Sequence, residues 1–417
     1  MNDGEQRGQS ETSDETRQII EAVTRFIEQE VLGFEKRFAS IMQNERRLFD
    51  ERGQYVKEIL AARKEIRKMS SLAGFYTMFG AKELGGGGIT ASTAFHVYEA
   101  IAQKYGPQRI LIEDVVVPSP FSNGLSPVLL GLHPLLRKTV LPSVATGEKT
   151  LCFALTEPQA GSDVWGIQCN AIHQSNGWVL NGQKHLITNA PYADYGMVFA
   201  VTNREQARAH EGGITAFLVD LTESGVSRGP VIPLMGHQGG DLGSLSFDKV
   251  FVPDDQVLGL EGEGLRLALA GVNAGRLGLS AKCVGLARWA LELSVSYAQQ
   301  REAFGKPLAQ HGVIELMLGE CAMDIMAGRS IALRCARKLE EGQSVIKDIS
   351  IAKAFNTEMA GRVIDRAIQI HGGLGLTNDF RLEAAYRWAR VVRIPDGTGE
   401  IHRRTIARQL LRGDMEF

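Results

Sequence analysis

At 417 residues the chain is too long for one compact core, so two or three domains are expected. An apolar fraction of 44% is ordinary for a globular protein, and a formal net charge of −2 favours neither nucleic acid nor an anionic membrane as partner. No uninterrupted apolar stretch reaches the length of a membrane-spanning helix.

The first residues, Met1 to Arg7, are polar and acid-rich, and neither a secretory nor an organellar address is expected. Residues 1–13 read as a disordered tail. From 14 to 150 the pattern is helical: Ile19, Ile20, Val23, Phe26, Ile27 and Val31 recur every three or four residues, as do Tyr55, Ile59, Leu60 and Ile66. Gly85 to Gly88 interrupt this region and read as a turn, because no Lys-Ser/Thr follows to make a phosphate loop. From 151 to 260 short β-prone runs alternate with turns, namely Trp178 to Leu180, Met197 to Val201, Ala216 to Val219 and Leu245 to Phe247. Asn181-Gly182 between such runs predicts a hairpin, and strands without intervening helices predict a barrel or sandwich. From 261 to 417 the helical period returns. The expected helices are about Leu265 to Arg301, Val313 to Glu341, Val345 to Ile370, Phe380 to Val392 and Glu400 to Leu411, an antiparallel bundle. Five cysteines (Cys152, Cys169, Cys283, Cys321, Cys335) show no Cys-x-x-Cys and read as reduced, buried thiols of a cytoplasmic protein.

Three segments carry chemistry. Leu155 to Asp163 (Leu-Thr-Glu-Pro-Gln-Ala-Gly-Ser-Asp) joins two expected strands. Gly161 lets backbone approach a flat ring, while Thr156 and Ser162 offer hydroxyls; a solvent loop built on Ser/Thr turns is the plain alternative. Gln369-Ile370-His371-Gly372-Gly373-Leu374-Gly375 closes a helix with more glycines than a C-cap needs, so its amides can approach a phosphate or ribose. Little more than a helix length later, Arg393-Ile394-Pro395-Asp396-Gly397-Thr398-Gly399-Glu400-Ile401-His402-Arg403 presents an isolated carboxylate. Asp396 reads either as a general base or as the N-cap of the last helix. No Gly-x-Gly-x-x-Gly follows a strand, so a nicotinamide site is unsupported.

Together these segments resemble the acyl-CoA dehydrogenase flavoenzymes, strongly from Leu151 to Arg412 and loosely before. The resemblance implies an N-terminal all-α domain, a middle β-barrel or sandwich and a C-terminal antiparallel four-helix bundle. It implies FAD as cofactor, an acyl-CoA substrate, an electron-transferring flavoprotein or similar acceptor, and a homotetramer or homodimer. By the same resemblance Thr156 lies near the flavin pyrimidine edge with Gly161 beside it, and Ser162 touches the pantetheine arm. Leu186 stands where the family usually has Trp, and Thr188 lies near flavin N5. Arg301 and Phe304 would hold the pyrophosphate of a neighbouring subunit's FAD, although Ala303 replaces a common Thr. Gln369, Gly372 and Gly373 would meet the adenosine side of that FAD. Thr398 and Glu400 would continue along the flavin. Arg276 would lie near the CoA adenosine, and Pro395, Gly397 and Arg403 beside the substrate. Gly275 rules out the base position used by some family branches, leaving Asp396.

The implied reaction is dehydrogenation of a saturated acyl thioester to the trans-2-enoyl product, with Asp396 taking the α-proton and the flavin the β-hydride. The family base is usually Glu. Asp is shorter by roughly 1.5 Å, and a misplacement on the order of 1 Å can cost about 10²-fold in rate. Either the backbone sits closer, re-aimed by Pro395, or the substrate is altered near Cα, or the reaction differs, as in nitroalkane oxidase. A flavin-binding paralogue without this chemistry is a further alternative. His371 and His402 lack metal-ligand spacing and read as packing or capping residues. Arg403, Arg404, Arg408 and Arg412 read as a solvated or subunit-interface face.

Overall fold

The computed structural model describes residues 12–107, 109–119, 123–235 and 239–417. Most of the expected tail, residues 1–11, lies outside the described residues. Ser13 is already structured: it caps α1 (Asp14–Phe26), its hydroxyl accepting from the Thr16 amide at 3.1 Å. The apolar positions of α1, of α2 (Lys57–Leu72) and of α3 (Ala91–Tyr105) meet in one core that includes Val23, Ile59, Ile66 and Phe95. Gly85 to Gly88 form a turn, with the Gly88 amide donating to the Gly80 carbonyl at 2.9 Å.

Eight strands follow: β1 (Leu151–Ala154), β2 (Asn170–Gln174), β3 (Gly177–Thr188), β4 (Tyr195–Val201), β5 (Ile214–Asp220), β6 (Val226–Arg228), β7 (Leu242–Pro253) and β8 (Val257–Leu258). The order is β6-β7-β3-β2-β4-β5-β8, with β1 paired in parallel to β4. In a flat sheet β3 and β5, three places apart, would be separated by about 14 Å. Yet the rings of Trp178 (β3) and Phe217 (β5) lie 5.6 Å apart, so the sheet curls around its own core of Leu180, Val198, Phe217, Phe247 and Val250. Alternate residues Met197 and Phe199 point the other way, into a second core shared with Val128, Leu141 and Val144.

The hairpin expected at Asn181-Gly182 is not there. Both residues lie inside β3, at a register slip between Leu180 and Gly182 against β7, and the turn joining β2 to β3 falls instead at Ser175-Asn176. Tertiary contact explains this. A Cβ on Gly182 (φ +143°) would stand 2.6 Å from Cys169 Cα, and Asn181 Oδ1 accepts from the Lys249 amide at 2.9 Å. The Asn-Gly pair serves a bulge rather than a turn.

The last five helices are α4 (Gly264–Gln300), α5 (Gly312–Glu340), α6 (Ile346–His371), α7 (Leu382–Val391) and α8 (Gly399–Leu411), each within two residues of its expected bounds. Leu277 and Val284 of α4, Ile325 of α5 and Ile349 of α6 join the core of the N-terminal helices. Glu99 of α3 accepts from Arg288 of α4 at 2.7 Å and Arg329 of α5 at 2.8 Å. No helix among the described residues is long and apolar enough to cross a membrane.

Among the described residues of the sheet domain one ion pair is buried. Lys184 Nζ meets Glu157 Oε1 at 2.7 Å, with the side chains 0% and 1% exposed. Replacing Lys184 by Met leaves the Glu157 carboxylate buried without its counter-ion, and a stability loss of about 3–5 kcal/mol is expected in chemical denaturation. A loss below about 1 kcal/mol is what an exposed pair gives, and would refute that assignment.

Candidate active site

The connection from α7 to α8 carries Asp396. Its backbone is left-handed (φ +58°), as is that of Gly397 (φ +97°), a region Asp tolerates better than bulkier residues do. The carbonyls of this turn meet side chains from three helices. Arg276 Nε of α4 donates to the Asp396 carbonyl at 2.9 Å, and His402 Nε2 of α8 lies 3.2 Å from the same oxygen. Lys353 Nζ of α6 donates to the Gly397 carbonyl at 2.6 Å and to the Arg393 carbonyl at 3.2 Å. Thr398 is the N-cap of α8, accepting from the Ile401 amide at 3.4 Å, so the reading of Asp396 as the cap falls away.

The Asp396 carboxylate takes no part in this grip and makes no hydrogen bond or ion pair among the described residues. It keeps some exposed surface, but protein atoms crowd it enough that burial raises its pKa above the ordinary range, against the charges of Arg276 and Lys353, which pull it down. Burial pushes the Lys353 ammonium down to about 8. Burial, Arg276 and Lys353 push His402 down to about 4, so it is neutral at pH 7. A carbonyl only accepts, so the His402 proton must sit on Nε2.

The sheet domain assembles a second group. The His185 amide donates to the Thr156 carbonyl at 2.9 Å, and Lys184 Nζ to the Leu155 carbonyl at 3.0 Å, which fastens the Leu155–Asp163 loop alongside β3. A bulge between Lys184 and Ile187 sets Leu186 at φ +56° with its side chain 47% exposed. Thr188, two residues on, is also exposed, while Ile187 between them is buried. Gly161 and Ser162 are exposed in the loop.

A third group lies at the ends of α4 and α6. Gln369, Gly372 and Gly373 are exposed, and a Cβ built on either glycine would meet no atom within 4 Å, so this backbone is bare. Arg301 ends α4, and Phe304, 97% exposed at φ +53°, sits in the two-stranded ribbon that follows. No hydrogen bond or ion pair among the described residues links this group to the Asp396 turn or to β3.

Arg276, expected near the CoA adenosine, lies on α4 under the α7–α8 turn and braces the Asp396 carbonyl. Arg403, expected beside the substrate, is held bidentately by Glu358 of α6 at 2.8 and 2.8 Å and braces α8 against α6. Pro395 is exposed and the Gly397 carbonyl is taken by Lys353. Glu400 is exposed in the first turn of α8, its carboxyl held below the usual range by its own amide and the Thr398 hydroxyl. His402 does more than pack: it supports the turn. Lys353 was missed by sequence reasoning: its helix-face neighbours Ile349, Ser350, Asn356 and Thr357 mix apolar and polar residues and give no clear signal.

Comparison with known proteins finds relatives over most of the chain. The acyl-CoA dehydrogenase C-terminal domain model matches residues 262–411, and the middle domain model matches residues 152–250. The human mitochondrial short-chain specific acyl-CoA dehydrogenase is 34% identical over 368 residues, covering 88% of this chain and 87% of that protein. The CarC subunit of the caffeyl-CoA reductase-Etf complex of Acetobacterium woodii is 32% identical over 364 residues, covering 87% and 92%. Among solved structures, the FAD complex of PigA is similar at TM-score 0.82 and 26% identity, covering 97% of this chain and 100% of that one. Matches of this length across both domains establish that the chain belongs to the acyl-CoA dehydrogenase family.

Proposed function

We propose that this chain is an FAD-dependent dehydrogenase that oxidises a saturated acyl-CoA to the trans-2-enoyl thioester, with Asp396 removing the α-proton. The observation that carries the reading is the state of that carboxylate: partly desolvated, without a hydrogen bond, and set on a turn whose backbone is held from three helices. Such a group gains by accepting a proton, and its raised pKa brings it towards the range useful to a general base.

The residues present fit FAD. The bare backbone at Gly372 and Gly373 can approach a phosphate or ribose, and the exposed Thr188 hydroxyl and Leu186 side chain offer a polar and an apolar contact at the end of β3. Bound FAD supplies the acceptor for the β-hydride. Thr156, Gly161 and Thr398 would complete the chain's own side of the site, and Ser162 the pantetheine side. Arg301, Phe304, Gln369, Gly372 and Gly373 lie on the third group, and we assign them to the FAD of a partner subunit in a homo-oligomer, a tetramer by family analogy. The 97% exposure of the Phe304 ring supports that assignment, since burying it is favourable only against another surface. An electron-transferring flavoprotein is the proposed acceptor, in line with the complex named for CarC.

The left-handed backbone at Asp396 fixes the direction in which the shorter side chain leaves the turn. Asp396→Asn should abolish anaerobic bleaching of the yellow protein by acyl-CoAs, a drop of at least about 10²-fold, while FAD stays bound. Retained activity would refute the base. In the unaltered protein the bleaching rate should fall as pH drops through the raised pKa of Asp396, because only the carboxylate accepts the proton; a flat acid profile would count against it. Gly373→Val should leave folding intact, since no atom crowds that position, yet release FAD, measured by flavin fluorescence after gel filtration. Normal FAD retention would remove this segment from the cofactor site.

A further inference from the structure

We infer that Lys353 is a positioning residue of the reaction beside Arg276: it closes the turn around Asp396 from both sides and adds a second positive charge that favours the ionised base. The inference rests on the reading of Asp396 as the base. Arg276 and His402 both act on a single oxygen, the Asp396 carbonyl. Lys353 alone spans the turn, from the Arg393 carbonyl before the base to the Gly397 carbonyl after it.

Lys353 is 0% exposed and no ion pair holds it among the described residues. The groups that act on it are Asp396 on the turn, Arg276 and Cys283 of α4, Glu358 of α6 and the neutral His402 of α8. Its neighbours on the same helix face, Ile349, Ser350, Asn356 and Thr357, are buried and uncharged, and an apolar side chain would sit there without the cost of desolvating a cation. What an apolar side chain lacks is twofold. It cannot donate to two carbonyls across the turn, and it cannot stabilise the Asp396 carboxylate against burial. Below pH 8 the ammonium does both, which is the range in which the base must be free of its own proton.

Two variants of the FAD-loaded full chain separate these roles. Lys353→Met removes donor and charge; Lys353→Gln removes the charge but keeps a donor. With the countercharge gone, both should move the acid limb of the pH–rate profile to higher pH by about one unit, with kcat reduced and KM little changed. Amide exchange across residues 393–397 should quicken in Lys353→Met and be partly restored in Lys353→Gln, a readout independent of turnover. If Lys353→Met fails to fold, Lys353→Gln alone carries the pH test. An acid limb unmoved in the folded variants, or exchange unchanged in Lys353→Met, would overturn the role. Bleaching retained by Asp396→Asn is a separate result: it would overturn the base itself, and this role with it.

Discussion

The hydrogen bond from Arg276 to the carbonyl of Asp396 joins residues 120 positions apart in the chain and decides where the base can stand. A non-glycine residue in left-handed backbone costs roughly 1–2 kcal/mol. Hydrogen bonds to charged groups return about 1.5–3 kcal/mol each, and Arg276 and Lys353 together make three at this turn. The interactions outweigh the strain, so the conformation is over-determined. The carbonyls are drawn inward while the carboxylate is left without a partner. A base held this way needs no reorganisation before it accepts a proton.

The sheet domain follows a similar logic. The buried Lys184–Glu157 pair ties the Leu155–Asp163 loop to β3, and Glu157 also accepts from the amides of Gln168 and Cys169 at 2.6 and 3.0 Å. One carboxylate therefore fixes both ends of the loop that carries Gly161 and Ser162. Further along β3 the bulge forces Leu186 into positive φ. Leu186, Phe304 and Asp396 are three non-glycine residues in strained backbone, one in each of the three groups of candidate site residues. Strain of this kind persists only where surrounding contacts impose it: the β3–β7 bulge at Leu186, and Arg276 and Lys353 at Asp396.

The helices after Gly264 were legible because helical periods sustained over 10 to 37 residues leave little ambiguity. The Gly-rich segment at 369–375 was legible because several glycines exceed what a helix end requires. Another signal misled for a physical reason. Asn181-Gly182 has the local chemistry of a tight turn, but contact with Cys169 and Lys249, distant in sequence or in register, turned it into a bulge. The sequence does not tell which protein groups Arg276 and Arg403 meet; in the fold these are a backbone carbonyl and Glu358.

The sequence by itself determined the order of helix, sheet and helix, the family, and the identity of the acid at position 396, since periodicity and residue type are local properties. Tertiary structure alone decided what surrounds that acid. Whether Lys353 points into a core or a turn, which oxygen Arg276 reaches, and how much water the carboxylate loses all depend on helices separated by tens to more than a hundred residues. Burial and charge proximity are properties of packed space, and they set the acidity on which the chemistry depends.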